Sequence, residues 1–267
     1  MFSNIGPLMR RIVSAVALFA CTACVSYGLD MTELEETERA SEKRAKNELV
    51  AYMTLDTMFP DRELRALARA AAKGETERID NLVRNGVDAN GRGTSGAVPL
   101  YWAMHNIQGF RHLLKLGADP NVIFDDGGSV FHWAVTHKNS AFYEALMEHG
   151  ADPNLRAGAL QWTPLFHVLH GNLKQRVAPL LEAGADIDAR DATGMTPLMV
   201  AAMHGQFDVV YDLLRRGADY KVTTVNGINL VDVLEFGIGN EPDPGAEMTK
   251  WRNRVIAWLQ DRSVSGE

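Results

Sequence analysis

The sequence predicts an all-α fold in which a pair of helices is repeated along a solenoid. The first observation is a Gly-Ala-Asp or Gly-Val-Asp triplet whose successive glycines are 31, 33, 34 and 33 positions apart. The second is a Thr-Pro-Leu or related sequence ahead of the triplet, and the third is an apolar pair such as Leu213-Leu214 shortly before the glycine. The glycines are Gly86, Gly117, Gly150, Gly184 and Gly217.

The unit from 189 to 220 shows why each element forms. Thr196-Pro197 begins a helix, because a threonine hydroxyl accepts an unpaired backbone N–H and the fixed φ of proline suits the first helical position. Leu198 and Ala201 lie on one face of that helix and are expected to contact the neighbouring unit. Gly217 ends the second helix, since a left-handed backbone is unfavourable for residues with a Cβ. The aspartate that follows supports the turn into the next unit.

This unit resembles the ankyrin repeat almost position for position. The resemblance implies helix-turn-helix pairs joined by β-hairpin loops, with the first helix of each pair and the hairpin tip facing a concave groove. It also implies that the chain holds another protein, is not an enzyme and needs no cofactor. The matching residues are Met195 to Gly205, Val209-Val210, Leu213-Leu214 and Gly217-Ala218-Asp219.

We divide the chain into three parts. Residues 1–24 are an export signal, 25–60 an acidic linker that ends in a lead-in helix, and 61–262 the ankyrin-repeat domain. The domain is expected to contain an N-terminal capping unit, four further units and a C-terminal capping unit with an inserted loop. Their limits are 61–90, 91–121, 122–154, 155–188, 189–220 and 221–262.

Two units depart from the pattern. From Pro99 to Gly117 the second unit spans 18 positions, where Pro197 to Gly217 spans 20, so the loop between its helices is expected to be two residues short. The last unit carries an insertion from 237 to 245 and ends on an amphipathic segment, 251–262. We expect that segment to form a helix that caps the solenoid.

The first 24 residues are typical of an export signal. Arg10-Arg11 precedes a short apolar stretch, which gives way to small residues around Cys21 and Cys24. A cysteine in this position resembles the lipobox of bacterial lipoproteins. Thr22-Ala23 fits the two positions before Cys24, whereas Leu18 supplies the usual leucine for Cys21. Either cysteine could carry the lipid; cleavage by ordinary signal peptidase, or an uncleaved anchor, is the alternative. In each case the protein faces the periplasmic side of the envelope.

Composition narrows the choice of partner. The formal charge is −7 and the pI is near 5.6, so there is no basic surface to neutralise phosphates and nucleic acid is excluded as a partner. Both cysteines lie in the signal, which leaves the folded part without thiol chemistry. We expect a monomer that touches the membrane only through a lipid anchor.

Catalytic motifs are absent from the sequence. There is no glycine-rich phosphate loop, no Gly-x-Ser-x-Gly and no His-Glu-x-x-His. His167 and His170, three apart on one helix, are the best metal candidates, but stable zinc sites need three or four ligands. We therefore predict no catalytic, cofactor or metal residues, and keep a His-based metal-dependent protein as an alternative. His132 is expected to form hydrogen bonds within its repeat.

The ankyrin resemblance also places a partner-binding groove. Numbering the motif from the threonine of Thr-Pro-Leu, its fifth place projects into the groove and its eighth and ninth places flank it. Aromatic residues dominate binding hot spots, so two tryptophans beside a column of histidines predict the centre of an interface; the alternative is that they pack between repeats. The predicted groove residues are Trp102, His105, Trp133, His137, His167, His170, Met203 and His204, and the predicted contacts at the hairpin tips are Arg92, Phe124, Asp125, Asp126, Arg156, Arg190 and Asp191.

These features predict a protein-binding scaffold in the bacterial envelope. An export signal, an acidic linker, a tryptophan-bearing ankyrin stack and a tryptophan-rich last helix resemble bacterial ankyrin proteins found beside type VI secretion effectors. That resemblance implies an immunity protein that binds and blocks a toxin such as a phospholipase. An accessory or protective protein for another periplasmic enzyme is the alternative.

Overall fold

The computed structural model describes residues 53–238 and 246–265, and the chain from Met53 to Glu267 forms a unit of its own. The predicted export signal, with Cys21 and Cys24, and most of the acidic linker lie outside the described residues. None of the helices in the two described ranges is both long and apolar enough to cross a membrane.

The predicted helix pairs form, and each pair packs against the next. The connecting hairpins contain only isolated β-bridges in the described part of the chain, Ile123 with Ser129 and Ala157 with Trp162. The all-α repeat fold is thereby confirmed. The helices are α1 (Leu55–Met58), α2 (Arg62–Lys73), α3 (Thr76–Arg84), α4 (Pro99–Trp102), α5 (Ile107–Lys115), α6 (Val130–Thr136), α7 (Ala141–Glu148), α8 (Pro164–His170), α9 (Val177–Glu182), α10 (Pro197–Met203), α11 (Phe207–Arg215), α12 (Leu230–Ile238) and α13 (Ala246–Ser265), with short 3₁₀ turns at Thr94–Gly96, Ala103–His105 and Lys174–Arg176.

Helix ends follow the capping signals in the sequence. Asp61 begins α2 by accepting the Leu64 N–H at 2.7 Å, and Ser129 begins α6 by accepting the His132 N–H at 3.2 Å. At the other end of a pair, Gly117 follows α5 with a φ of 90°. The N–H groups of Gly117 and Ala118 then return to the last turn of α5, which satisfies carbonyls that the helix leaves unpaired.

The second unit has the short turn that its spacing predicts. The 3₁₀ turn Ala103–His105 continues α4, and only Asn106 separates it from α5. Asn106 Oδ1 accepts the N–H groups of Gln108 and Gly109, at 2.9 and 3.2 Å, and so begins α5. A Cβ at Gly109 would lie 1.9 Å from the Ala71 carbonyl oxygen, so glycine is required for α5 to approach the end of α2.

The last unit places α12 against α10 and α13 against α11. On α13, Trp251 packs on Tyr211 and Trp258 on Tyr220, with ring centroids 5.8 and 5.5 Å apart, and Val255 is fully buried between them. The inserted residues 239–245 lie outside the described residues. Helix α13 begins before the predicted first residue, 251, and ends after the predicted last residue, 262.

Candidate functional site

The two predicted groove tryptophans lie on the first helices of adjacent units, and both are half-buried. The Trp102 and His105 rings pack at a tilt with centroids 4.9 Å apart, and His105 Nδ1–H donates to the Trp102 carbonyl at 2.8 Å. Trp133 contacts the edge of Tyr101 from the preceding unit at 6.3 Å. Part of each indole is therefore held by a neighbour, and part is open to solvent.

A second aromatic cluster runs from the third unit to the fifth. His132 meets His167 edge to face, with centroids 4.8 Å apart, and His167 meets Trp162 at 5.3 Å. Trp162 stacks on His170 at 4.2 Å, and His170 Nδ1 lies 3.0 Å from His204 Nε2. The predicted residues His167, His170 and His204 are thus joined into one row through Trp162 and the buried His132.

Trp162 was missed from the sequence as a member of this site. It precedes Thr163-Pro164 at the base of a hairpin, where the motif gives no sign of its direction. The ring lies under His170, and its Nε1–H donates to Asp191 Oδ2 at 3.2 Å. An aromatic residue immediately before Thr-Pro was the available signal.

The histidines of this row are neutral at neutral pH. Burial lowers the pKa of His132 to about 4. Burial, and then the nearby His132 and His170, lower the pKa of His167 to about 3. For His170, burial and then His204 lower the pKa to about 4, although Asp191 opposes them; partial burial also lowers the pKa of His204. The accessible part of the row, on His167, His170 and His204, is therefore uncharged at neutral pH.

The shortened turn of the second unit borders an open surface depression of about 630 Å³. His105 and His137 from the predicted groove line it, together with the apolar side chains of Met104, Ile107 and Phe142. His137 meets Phe142 edge to face at 4.8 Å and accepts the Asn139 N–H at 3.1 Å. Met203, at the end of α10, is half-buried and lies outside this depression.

The predicted hairpin arginines bind the protein's own backbone. Arg92 donates to the Ile123 carbonyl at 2.6 Å, Arg156 to the Arg190 carbonyl and Arg190 to the Thr223 carbonyl, each in the next hairpin. These side chains therefore tie consecutive hairpins together. All three residues are nevertheless exposed.

The other predicted hairpin contacts are also engaged. Asp126 Oδ1 accepts the Gly128 N–H at 2.8 Å, and Asp191 Oδ1 accepts the N–H groups of Thr193 and Met195 at 2.8 and 3.0 Å. Asp125 is exposed and lies 3.7 Å from the Arg92 guanidinium. These aspartates hold the turns in shape.

Phe124 corrects one expectation. We expected it at the exposed tip of its hairpin, but its side chain is only 3% exposed and packs against the Tyr101 ring at 5.4 Å. The reason is that hairpins of adjacent units stack, so that a ring on one hairpin is covered by the unit before it. Phe124 thus stabilises the stack and offers no surface to a partner.

The metal alternative finds no further ligands. His167 and His170 both contact the Trp162 ring, and in residues 53–238 and 246–265 no three His, Cys, Asp or Glu side chains come together as a metal site would require.

A family model described as ankyrin repeats matches residues 67–157 and 131–224, which together span more than half of the chain. The chain belongs to the ankyrin-repeat family. The repeats of this family generally serve as non-enzymatic interaction domains, and they indicate a scaffold that binds another protein.

Curated relatives agree with this assignment. Protein PhlB of Serratia liquefaciens is 34% identical over 139 residues, which are 51% of this chain and 61% of PhlB. Ankyrin repeat and SOCS box protein 16 of Homo sapiens is 34% identical over 137 residues, 51% of this chain and 30% of the human protein. The chain thus covers less than two thirds of either relative.

One solved structure shares the fold over most of the chain. It is titled as the predatory endopeptidase Bd0816 from Bdellovibrio bacteriovorus in complex with immunity protein Bd3460. The similarity has a TM-score of 0.58 and 24% identity, and covers 71% of this chain and 97% of that one. At this identity the likeness shows the fold alone.

Proposed function

We propose that this protein is an exported scaffold that captures one partner protein on the face formed by its first helices, and that it acts as an immunity protein against a secreted enzyme. The observation that carries the proposal is the uncharged face built from half-buried Trp102 and Trp133 and from the histidine row beside them. Rigid aromatic side chains that are held in place yet partly open are the usual centres of protein interfaces.

The choice of a toxin as partner is motivated by the resemblance drawn from the sequence and by the solved structure of the same fold. That structure holds an endopeptidase and an immunity protein. Export to the periplasmic side, with lipid attached at Cys24 or Cys21, would put the scaffold where an incoming toxin acts. The acidic linker would separate the repeats from the membrane.

The central experiment recovers the full-length protein from the cell envelope by affinity capture and identifies the protein that co-purifies. Trp102→Ala and Trp133→Ala should each weaken the measured affinity at least tenfold, because truncating an interface tryptophan typically costs about 2 kcal/mol or more. Leu116→Ala, at an exposed apolar side chain beyond the end of α5, is the matched control and should leave affinity unchanged. Retained capture with lost thermal stability would instead make the tryptophans packing residues.

The activity of the captured partner decides between the two binding roles. An immunity protein should suppress the activity of a bound enzyme, whereas an accessory protein should leave it intact or protect it. The mass of the mature N-terminus tests the anchor: lipid on Cys24 should disappear in Cys24→Ser and persist in Cys21→Ser. A mature chain without lipid would exclude the anchor and leave the binding role to be judged by capture alone.

A further inference from the structure

The connecting hairpins form a continuous stack in which each hairpin, here called a rung, donates one backbone hydrogen bond to the rung before it. The donor N–H groups are those of Asp125, Gly158, Ala192 and Val225. They reach the carbonyls of Ser95, Gly127, Leu160 and Thr193 at 2.9, 2.7, 2.9 and 3.0 Å, respectively. One interface is thus repeated four times along the domain.

The N-terminal end of this stack is closed. The Thr94 hydroxyl donates to the Thr57 carbonyl at 2.8 Å, so the first rung is tied to α1. The Met58 carbonyl fills the space beside Gly93, where a Cβ would come within 2.1 Å of it. Met58 and Phe59 are fully buried. Helix α1 therefore occupies the place that another rung would take.

The C-terminal rung, residues 223–228, has no such cover in the described part of the chain. It repeats the turn of the rung before it, because the Thr224 N–H donates to the Ile228 carbonyl as the Asp191 N–H does to that of Met195. Asn226 therefore stands where Thr193 stands in the previous rung, and no described donor reaches its carbonyl. The equivalent carbonyls, those of Ser95 and Thr193, each receive the following rung, whereas Gly127 and Leu160 accept from one place further on in their rungs.

Three exposed apolar side chains lie within five residues of Asn226 along the chain. Val225 is 71%, Ile228 40% and Val231 50% exposed. Val231 occupies the third place of the motif, where Leu198 in the preceding unit is only 1% exposed. Isolated apolar side chains on a surface are ordinary, but three close in sequence to an unpaired acceptor of a repeating interface indicate that this interface can take another partner.

The helical side of the same end is already covered. Helix α13 packs on α11, and Arg254 and Arg262 lie over the outer faces of Trp251 and Trp258, 4.7 and 4.3 Å from the ring centroids. Helix α11 is therefore covered by α13, while the last rung offers the backbone acceptor that an extended segment can use.

We infer that the last rung is a docking edge for an extended segment of the partner protein, which adds a further rung by donating a backbone N–H to the Asn226 carbonyl and covering Val225 and Val231. Addition of an extended segment to an open edge is a general mode of peptide recognition, in which main-chain bonds supply affinity and side-chain contacts supply selectivity. This inference rests on the proposed function, since it assigns a second contact surface for the same partner.

The test uses the isotope-labelled full-length chain in detergent and a defined probe. The probe is a peptide with the sequence of residues 221–229, closed by an added terminal disulfide, because in the protein this segment donates the Val225 N–H to the rung before it. Titration followed by NMR should show saturable shifts at backbone amides of residues 223–232. A peptide N-methylated at the valine equivalent to Val225 lacks the donor and should bind at least tenfold more weakly.

Val231→Lys in the chain should lower its affinity for the probe peptide at least tenfold. Ile123→Lys, at a 39%-exposed apolar side chain of an inner rung, is the control and should leave that affinity unchanged. Equal binding of the N-methylated peptide, shifts centred on Trp102 and Trp133, or no shifts at all would overturn the inference. So would a chain dimer in sedimentation that Val231→Lys converts to monomer, since the edge would then take a second copy. If the peptide does not bind but the tryptophan variants still lose their partner, the docking edge is wrong and the proposed function is retained.

Discussion

His132 shows how one side chain links two units. Its Nε2 lies 3.0 Å from the Trp162 carbonyl and must donate to it, so Nδ1 accepts the Ser129 hydroxyl at 2.6 Å. In the next unit Phe166 occupies the place of His132, and the buried Thr163 Oγ1 has no hydrogen-bond partner among the described residues. The same motif position is therefore satisfied in one unit and unsatisfied in the next.

This difference predicts that two similar substitutions have unequal effects on the free energy of unfolding. Ser129→Ala should lower the free energy of unfolding by about 2 kcal/mol, because it leaves a buried imidazole nitrogen unpaired. Thr163→Val should change it by less than about 1 kcal/mol, since the lost hydroxyl made no bond. Urea denaturation followed by circular dichroism measures both. Equal losses in the two variants would show that Thr163 has a partner.

A ladder of asparagines joins the turns, and its last member is different. Asn154 donates to the Gly184 carbonyl at 2.9 Å and accepts the Asp186 N–H at 2.7 Å, and Asn90 and Asn121 do the same in earlier units. Asp188 accepts the Asp219 N–H at 2.8 Å, but a carboxylate cannot donate to the Gly217 carbonyl.

Asp188→Asn should therefore raise the free energy of unfolding by about 1 kcal/mol, the usual net contribution of one hydrogen bond. The reverse exchange at an inner position, Asn154→Asp, is the matched control and should lower it by a similar amount. Thermal denaturation at neutral pH provides the measurement. A destabilised Asp188→Asn variant would contradict the ladder.

The C-terminal end of helix α6 is capped by a side chain from another unit. Arg176 is only 5% exposed, and its guanidinium donates to the carbonyl of Val135 and, at 2.7 Å, to that of His137, with the Tyr143 ring 5.2 Å away. A cation at the C-terminal end of a helix also interacts favourably with its dipole. The buried arginine thus closes α6 and joins the third unit to the fourth.

Arg176→Met should destabilise the domain by about 3 kcal/mol, because buried carbonyls lose charged donors that methionine cannot replace. In the same turn, Lys174 pairs with Asp208 at 2.7 Å on the surface. Lys174→Met should cost less than about 1 kcal/mol, as exposed ion pairs usually do. Urea denaturation of both variants compares the two contributions. If Arg176→Met loses less than about 1 kcal/mol, water replaces the guanidinium at these carbonyls.

Across the domain, the buried histidines make stability depend on pH. The pKa of His132 is about 4 in the folded protein and about 6.5 in the unfolded chain, so the unfolded chain binds more protons between these values. The contribution of His132 to stability is therefore full above about pH 6.5 and is lost as the pH drops toward 4. His132 alone contributes about 3 kcal/mol to that fall, and the lowered pKa values of His167 and His170 act in the same direction.

Chemical denaturation at several pH values between 7 and 4 measures this dependence. His132→Gln keeps a side-chain donor for the Trp162 carbonyl but cannot titrate, so it should show a shallower loss of stability than the native chain. Parallel curves for the two proteins would assign the acid sensitivity to carboxylates instead.

The helix pairs, their ends and the short turn of the second unit were predictable from the sequence because their causes are local. Thr196-Pro197 begins a helix and Gly117 ends one through backbone preferences that act within a few residues. The positions of Trp102, Trp133 and the histidines on the first helices follow from the same periodicity. Whether the tryptophans bind a partner stays a prediction.

The contacts of the hairpins and of the histidine row could not be predicted, because they depend on side chains and backbone groups about one repeat away along the chain. Arg156 and Arg190 bind carbonyls of the next hairpin, Phe124 is covered by Tyr101 of the unit before it, and Trp162 joins the histidine row. No local preference encodes these contacts, because burial and hydrogen bonding are settled only when neighbouring units stack. The repeat pattern in the sequence therefore predicted the solenoid, whereas only the packing showed that α1 closes one end and that no described residue covers the last rung.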